Sequence, residues 1–264
     1  MQMGVYMKTR IKFTKSGPLK FIGHLDVMRY FQKAFRRAEL DVEYSQGFNP
    51  HQLMSFAAPL GVGLTSDGEY LDLQLKTSDE PKAMIDKINK AMAEGIQVVD
   101  FKVLSDESKN AMSMVSAADY MVSVKDGYEF MGMEEFKQKF QDFYNKESIV
   151  ILKKSKKSEK DVDIKPSIYH IGFDREEFYK NIGQSFDKDK KSVADAYDNG
   201  VKVFMQVATG SSNNLKPELV MEAFCQYTGI EYNIFAYQVH RMEVYADLGT
   251  EENRSLIALD KMND

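Results

Sequence analysis

Between His24 and His51 the sequence concentrates side chains that suit phosphate binding and proton transfer. These two imidazoles are half of the four histidines in the chain, and an imidazole can gain or lose a proton near neutral pH. The helix predicted after Gly23 carries Arg29, Lys33 and Arg36 at spacings of four and three, which places them on one face. This basic stripe, with Arg37 beside it, suits phosphate contacts. A solvated helix face has the same pattern, and His24 could equally cap or pack.

The loop that follows the helix has an unusual density of hydrogen-bonding and aromatic residues. Its sequence is YSQGFNPH, from Tyr44 to His51. Gly47 permits a sharp bend, and an aromatic ring presented among amides could stack on a base. The residues that we consider able to bind a ligand here are Tyr44, Gln46, Phe48, Asn49 and His51. The alternative is an ordered structural loop whose phenylalanine plugs the core.

Three further candidates come from the second half of the chain. Lys165 precedes a proline, and Asn214 and Lys216 lie in a strand-to-helix turn, GSSNNLKPE, of residues 210–218. Small polar residues before a helix expose backbone N–H groups that can hold an anion. An ordinary strand-to-helix turn looks the same, and the lysine-rich run 153–160 is interpreted as a solvated hairpin tip.

Charge and composition exclude several classes of function. The chain of 264 residues has a net charge of −5, yet residues 1–60 carry nine Lys and Arg against four Asp and Glu. The single cysteine cannot hold an iron–sulfur cluster, and four scattered histidines argue against a zinc site. No P-loop occurs. Without a membrane span or a secretory signal, the sequence predicts a cytoplasmic protein that has no metal or cofactor of its own.

Residues 1–106 show the pattern of a ferredoxin-like unit. The order is β-α-β-β-α-β, with strands at 8–14, 52–58, 69–76 and 96–104 and helices at 24–40 and from Pro81. Residues 8–14 alternate as a half-buried strand, with Arg10 and Lys12 on the face opposite Ile11 and Phe13. The first helix has an apolar side at helical spacing, made of Leu25, Met28, Phe31, Phe35 and Ala38.

Residues 117–246 are predicted to form a second such unit, so the fold class is α+β with two tandem ferredoxin-like units and antiparallel sheets. Helices are predicted at 133–145 and 217–228, and strands at 119–125, 148–154, 161–172, 201–208 and 236–245. The polar segment 174–200 is interpreted as an insertion or mobile excursion. Residues 105–116 form the boundary, and residues 247–264 are expected to be a charged, frayed tail.

Several blocks resemble one family. They are KFIGHLDVMRYFQKAFRRAEL, YSQGFNPH, SFAAPLGVGLTSDGEYLDLQL, VDIKP and NNLKPELVMEAF. Together these blocks are similar to the radical-SAM-linked family, which is built around a domain of unknown function. The similarity extends over nearly the whole chain. Gly23 stands where this family has a serine, so the first helix lacks a good N-cap. Gln52-Leu53 stand where Pro-Lys is expected after His51, which removes one positive charge.

The resemblance implies that radical chemistry belongs to a partner. Members are encoded beside, or fused behind, a cobalamin-binding radical SAM protein, often near genes for ribosomal proteins and a ribonuclease. The partner is expected to use S-adenosylmethionine and an iron–sulfur cluster, with cobalamin as a further cofactor that the resemblance allows. This chain would recognise or present a substrate, namely RNA or a ribosome-related component. The alternatives are a metal-independent RNA-processing or phosphoryl-transfer enzyme that uses His24 and His51, and a protein–protein scaffold.

All twelve candidate residues are predicted to lie around one site. His24 begins the first helix and His51 follows its end, so they meet only if residues 41–51 run back along it. Eleven residues at about 3.3 Å each can cover the roughly 24 Å of a sixteen-residue helix. The second half would contribute Lys165, Asn214 and Lys216 to that site.

Overall fold

The chain is a mixed α+β protein with mostly antiparallel strands. The computed structural model describes residues 6–154, 159–189, 191–211, 213–250 and 253–262. The elements in chain order are β1 (Met7–Lys15), α1 (His24–Arg37), β2 (Met54–Phe56), β3 (Thr65–Leu75), α2 (Pro81–Lys90), β4 (Ile96–Val103), α3 (Ala111–Met114), β5 (Val115–Val124), α4 (Met133–Tyr144), β6 (Val150–Lys154), β7 (Glu159–Asp163), β8 (Ile168–Gly172), α5 (Arg175–Asn181), β9 (Lys202–Ala208), α6 (Pro217–Thr228), β10 (Tyr237–Asp247) and β11 (Leu256–Ala258).

The chain divides into two compact units, which we describe separately. The first consists of residues 1–116 together with 243–264, and the second of residues 117–242. Strand β10 crosses this division, because its residues from Glu243 onward belong to the first unit. Within the described residues, no helix is long and apolar enough to cross a bilayer.

In the first unit the sheet path runs β4-β1-β3, and β2 lies off this path beside β3. Strand β1 pairs antiparallel with both β3 and β4, and β2 pairs antiparallel with β3. One sheet face packs on α1 and α2 through Ile11, Phe13, Phe31, Phe35 and Ile88. The predicted order β-α-β-β-α-β is present here.

Helix α1 buries a stripe that the sequence predicts only in part. Its buried residues are Val27, Phe31, Ala34 and Phe35. Leu25, predicted to face the core, is 60% exposed. At 100° per residue, Leu25 lies on the side of the helix that carries Arg29 rather than on the buried stripe.

The opposite face of β1 is buried, contrary to the prediction of a half-buried strand. Arg10 and Lys12 are only 2% and 4% exposed. The register places Arg10 opposite Asp72, and its Nε donates to that carboxylate at 2.8 Å. The alternation of residues 8–14 predicts that this face contacts solvent. In the structure an ion pair compensates the burial of the charged side chain instead.

The C-terminal segment covers this charged face, so the prediction of a frayed tail is wrong for its described residues. Strand β11 pairs with Tyr245–Asp247 of β10. Leu259 is completely buried, and its carbonyl accepts a hydrogen bond from Arg10. The burial of Leu259 and the hydrogen bond from Arg10 hold this segment in place, although its charged composition predicts exposure to solvent.

The second unit has a three-stranded antiparallel arrangement β5-β9-β8 and a separate ribbon of β6 and β7. Helix α4 forms as predicted, with Phe136, Phe140 and Phe143 all buried. These rings contact Phe224 of α6 with centroid separations of 4.7–5.7 Å. Aromatic packing therefore joins the two helices.

Two predictions in this unit need correction. Residues 161–172 do not form one strand, because a 3-10 turn over Lys165–Ser167 separates β7 from β8. The segment 174–200 is anchored rather than a mobile excursion in its described residues. Its helix α5 has Asp174 as N-cap, whose carboxylate accepts from the N–H of Glu177 at 2.9 Å, and it buries Phe178. Residues 155–158 of the lysine-rich run 153–160 lie outside the described residues.

Candidate functional site

Helix α1 places His24 at its first position. The N-cap residue Gly23 has no side chain to accept from the first N–H groups, as its departure from serine predicts. Asp26 in the first turn interacts favourably with the helix dipole and accepts from Arg29 Nη1 at 3.4 Å. The start of α1 is therefore stabilised by charge rather than by a capping side chain.

The ring of His24 packs edge-on against Phe56, with 5.2 Å between centroids. Partial burial lowers the pKa of His24 below its ordinary value of 6.5; the carboxylate of Glu69 opposes this shift, and the ammonium of Lys15 adds to it. His24 is therefore predominantly neutral at pH 7 and can accept a proton or hydrogen bond. Its packing on Phe56 favours a structural role for His24.

Arg37, which lies beside the predicted basic stripe, has a structural role. Arg37 Nη2 donates to the carbonyl of Ala91 at 2.7 Å, just after α2. Lys33 and Arg36 are exposed, and neither side chain has an ion pair or hydrogen bond with any described residue. Together with Arg29, whose exposed guanidinium is paired with Asp26 at 3.4 Å, they place three cations on α1 within reach of an external anion.

The loop of residues 45–51 closes on itself through its two ends. The N–H of Ser45 donates to the carbonyl of His51 at 2.8 Å, and the N–H of His51 donates to Ser45 Oγ at 3.0 Å. Ser45 Oγ also lies 2.8 Å from His51 Nδ1. Gly47, with φ of 114°, makes the bend that an L side chain rarely adopts.

This closed loop projects an aromatic ring into solvent. Phe48 is fully exposed, so it does not plug the core, and Gln46 and Asn49 beside it are also exposed. The three hydrogen bonds at the base limit the freedom of the loop. A ring held outward in this way costs less entropy to dock than a freely moving one.

The base of the loop contacts the middle of α1. Gln52 is buried, and its Nε2 donates to the carbonyl of Gln32 at 3.2 Å and to the hydroxyl of Tyr44 at 3.3 Å. Gln32 is three residues after Arg29 and four before Arg36, so all three share one helix face. The structure thus brings Tyr44 and the loop base to the side of α1 that carries two of the exposed arginines.

The two histidines have different partners. His24 contacts Phe56, whereas the ring nitrogen of His51 contacts Ser45. The loop base reaches Gln32, eight residues after His24, which is about 12 Å along a helix axis. No hydrogen bond connects the two rings in the described part of the chain. Paired acid–base catalysis by His24 and His51 stays a prediction, and the hydrogen bonds of the described residues do not join all twelve candidate residues into one cluster.

Lys165 in the second unit is bound by its own neighbourhood. Its Nζ donates to the carbonyl of Tyr144 at the end of α4 and lies over the Tyr144 ring. Burial lowers the pKa of Lys165, although the nearby carboxylate of Asp163 opposes the shift. A cation at a helix C-terminus interacts favourably with the dipole, so Lys165 has a structural role.

The turn that carries Lys165 meets the turn that carries Asn214 and Lys216. Ser167, two residues after Lys165, accepts from Asn213 Nδ2 at 3.0 Å. Asn214 and Lys216 are exposed, and Lys216 is the N-cap of α6 without a capping side-chain bond. The structure brings these two turns together; a site shared with α1 stays a prediction.

Sequence reasoning missed a buried charged cluster in the first unit. Lys12 Nζ donates to Glu243 at 2.6 Å and to Asp260 at 2.7 Å, and the hydroxyl of Tyr70 lies 2.6 Å and 3.0 Å from the same two carboxylates. Burial would raise the pKa of Asp260, but the ammonium of Lys12 and hydrogen bonds lower it overall. The strand register alone could not identify partners more than 200 residues away.

Cys225 is a buried core residue. Its Sγ lies 3.1 Å from the hydroxyl of Tyr237, and burial raises the pKa of the Cys225 thiol. A thiol of this kind is a poor nucleophile at neutral pH. Within the described residues, no group of three or more His, Cys, Asp or Glu side chains is placed to hold a metal ion.

Comparison with known proteins gives one family. The family model described as an uncharacterised protein conserved in bacteria, DUF2344, matches residues 8–217. This range contains α1, the 45–51 loop and all but the last part of the second unit. A search among curated proteins found no match.

Proposed function

We propose a function for this chain, which belongs to the DUF2344 family, from its own geometry: recognition of single-stranded RNA for a partner enzyme. The observation that carries the proposal is the contact between Gln52 and the Gln32 carbonyl. It places the base of the loop that presents Phe48 on the helix face of Arg29 and Arg36. A stacking ring and phosphate-binding cations then belong to one surface.

The chemistry of this surface fits a flexible strand better than a duplex. Base stacking on an aromatic ring contributes about 1–3 kcal/mol per base and needs an unpaired base. The exposed amides of Gln46 and Asn49 can hydrogen-bond base edges. The cations Arg29, Lys33 and Arg36 can contact successive phosphates. With a chain charge of −5, binding would be confined to this face rather than spread over the protein.

Radical chemistry, if the protein takes part in it, would belong to a partner. The chain has one cysteine, which is buried, whereas an iron–sulfur cluster takes several thiolates. We therefore propose an accessory role beside a radical SAM enzyme, as the sequence resemblance implies. The proposed scaffold is two ferredoxin-like units in tandem, supported in the first unit by the order β-α-β-β-α-β.

An exposed apolar surface favours a second role in binding the protein partner. Phe21, Leu25 and Val62 are each at least 60% exposed, and they surround the start of α1. The Lys20 carbonyl accepts from the Gly63 N–H at 2.8 Å, which joins the two segments that carry Phe21 and Val62. Exposed apolar clusters mark interaction sites. Val62→Asp should abolish co-purification with the radical SAM partner while RNA binding stays unchanged.

The decisive experiment measures RNA binding of the purified chain by fluorescence anisotropy at two salt concentrations. Phe48→Ala should weaken binding by roughly 5- to 150-fold, from the value of one stacked base. The matched control is Phe235→Ala, which removes a 70% exposed ring from the second unit and should have no effect.

The charge component has its own variants. Arg36→Ala should weaken binding and reduce the salt dependence by about one phosphate contact, whereas Lys82→Ala, on exposed α2 surface, should change neither. Arg37→Ala is a less specific test because it also removes the hydrogen bond from Arg37 to the carbonyl of Ala91. Binding that is absent, independent of salt, or unaffected by both Phe48→Ala and Arg36→Ala would refute the RNA proposal.

A further inference from the structure

The first unit contains a pocket of about 300 Å³ between its sheet and the segment that follows β4. This volume lies at the lower end of the range of small-molecule sites. Its apolar wall includes Leu53, Met54 and Leu104, and its polar rim includes Ser55, Gln74 and Lys109. The mixture of an apolar wall and a few polar groups is typical of ligand sites.

Residues 104–110 form the roof of this pocket and are held at both ends. The Leu104 N–H donates to the carbonyl of Lys8 at 2.8 Å, and Asn110 Nδ2 donates to Ser55 Oγ at 2.7 Å. Between these ends, Lys8 Nζ donates to the carbonyl of Ser108 at 3.3 Å. The segment is therefore a fixed cover over the sheet, whereas the sequence predicts only a boundary between units over residues 105–116.

The charges around the pocket favour an anion. The one acidic residue of the lining, Asp72, accepts two hydrogen bonds from Arg10 and one from the N–H of Ala111. Its charge is thereby neutralised within the protein. The remaining charged groups of the lining are the ammonium groups of Lys8 and Lys109, and Lys109 is exposed with no side-chain partner among the described residues.

Two polar side chains of the lining have hydrogen-bonding capacity left. Ser55 accepts from Asn110, which leaves its own hydroxyl proton unused by the described residues. The side-chain amide of Gln74 likewise has no partner among them. These groups and the two ammonium groups are donors, so the rim can surround an acceptor head.

We propose that this pocket binds a small amphipathic carboxylate, with its aliphatic chain on Leu53, Met54 and Leu104 and its head group among Ser55, Gln74 and Lys109. The apolar wall suits the aliphatic chain of the ligand, and the unused donors suit its carboxylate head group. The volume of the pocket limits the length of the aliphatic chain. The pocket does not include the α1 surface, so the proposal is independent of RNA recognition.

A site-specific measurement uses the methyl group of Met54 as the reporter. Methyl-¹³C methionine labelling gives one signal for each of the 16 methionines, and Met54→Leu assigns the signal of interest. Titration with heptanoate should shift the Met54 signal and leave that of Met221, a buried residue of the second unit, unchanged. A shift at Met221 with none at Met54 would overturn the proposal.

The chemical class is tested with a series of probes. From butanoate to heptanoate the affinity should rise roughly fourfold for each added methylene, because each buries a further CH₂ group. Heptanol should bind more weakly than heptanoate, and heptylammonium most weakly. Phosphatidylglycerol vesicles should not shift Met54, which distinguishes a free acid from a membrane lipid; a response to vesicles alone would overturn the proposal.

Variants complete the test. Lys109→Glu should reduce heptanoate affinity at least tenfold and reverse the preference between heptanoate and heptylammonium, whereas Lys82→Glu is the matched charge control. Leu53→Trp should block binding of every probe by filling the pocket. Heptanoate affinity that is unchanged in Lys109→Glu, or equal to that of heptylammonium in the wild type, would refute the assignment.

Discussion

Replacing Lys12 by methionine should destabilise the first unit strongly, although the sequence places Lys12 on an exposed strand face. The substitution keeps the length of the side chain and removes the ammonium group. It leaves the carboxylates of Glu243 and Asp260 facing each other, since both lie within 2.7 Å of the present Nζ position. Removing one partner of a buried ion pair costs 3–5 kcal/mol.

The expected loss is about 3 kcal/mol, the lower end of that range, because the two carboxylates retain 13% and 18% of their exposure. An exposed strand lysine would give a change within about 0.5 kcal/mol. Urea unfolding at pH 7, followed by circular dichroism, measures the difference. Hydrogen exchange of the amides in Leu256–Ala258 reports separately on release of the C-terminal segment.

The pH dependence gives an independent check. In the wild type the pKa of Asp260 is lowered, so its contribution to stability is present above the unfolded pKa and is lost as the pH falls through the folded pKa. In Lys12→Met the facing carboxylates raise each other's pKa values. The difference in the free energy of unfolding between variant and wild type should therefore become smaller as the pH falls. Lys82→Met, on the exposed surface of α2, is the control.

The assignment would be refuted if Lys12→Met unfolds within 0.5 kcal/mol of the wild type at pH 7. A double substitution, Lys12→Met with Asp260→Asn, should recover part of the loss because only one buried carboxylate then remains without its cation. A double variant as unstable as the sum of the two single variants would show that the groups act independently.

Three further predictions follow from local geometry. Gly95→Ala should lower Tm more than Gly127→Ala: both glycines have positive φ, but only at Gly95 would a Cβ lie 2.7 Å from a backbone oxygen, that of Ser16. Burial lowers the pKa of His24, so His24→Gln should remove the loss of stability that occurs as the pH falls from the unfolded to the folded pKa, measured by urea unfolding. Asp174→Ala removes the N-cap of α5 and should cost about 1 kcal/mol.

The helices were largely predictable from the sequence because their signals are local. Pro81 marks the first position of α2 as expected. The three phenylalanines of α4 recur at spacings of four and three, and all are buried as predicted. Each signal depends on residues within one or two turns, so no knowledge of distant partners was needed.

The loop was predictable in composition but not in geometry. Its glycine and amides indicated a sharp turn with residues able to bind a ligand. Whether Phe48 points inward or outward depends on the closure between Ser45 and His51 and on the contact of Gln52 with α1. Those contacts are tertiary, and the sequence left both outcomes open.

The sequence by itself determined the α+β class, the positions of most helices and strands, and the basic character of α1. These follow from periodicity and residue type, which act over a few residues. Only the tertiary structure decided that Arg10 and Lys12 are buried, that residues 104–110 cover a pocket, and that the C-terminal segment packs on the sheet. The physical reason is that an ion pair depends on which distant carboxylate reaches the ammonium group, and register and chain return set that distance.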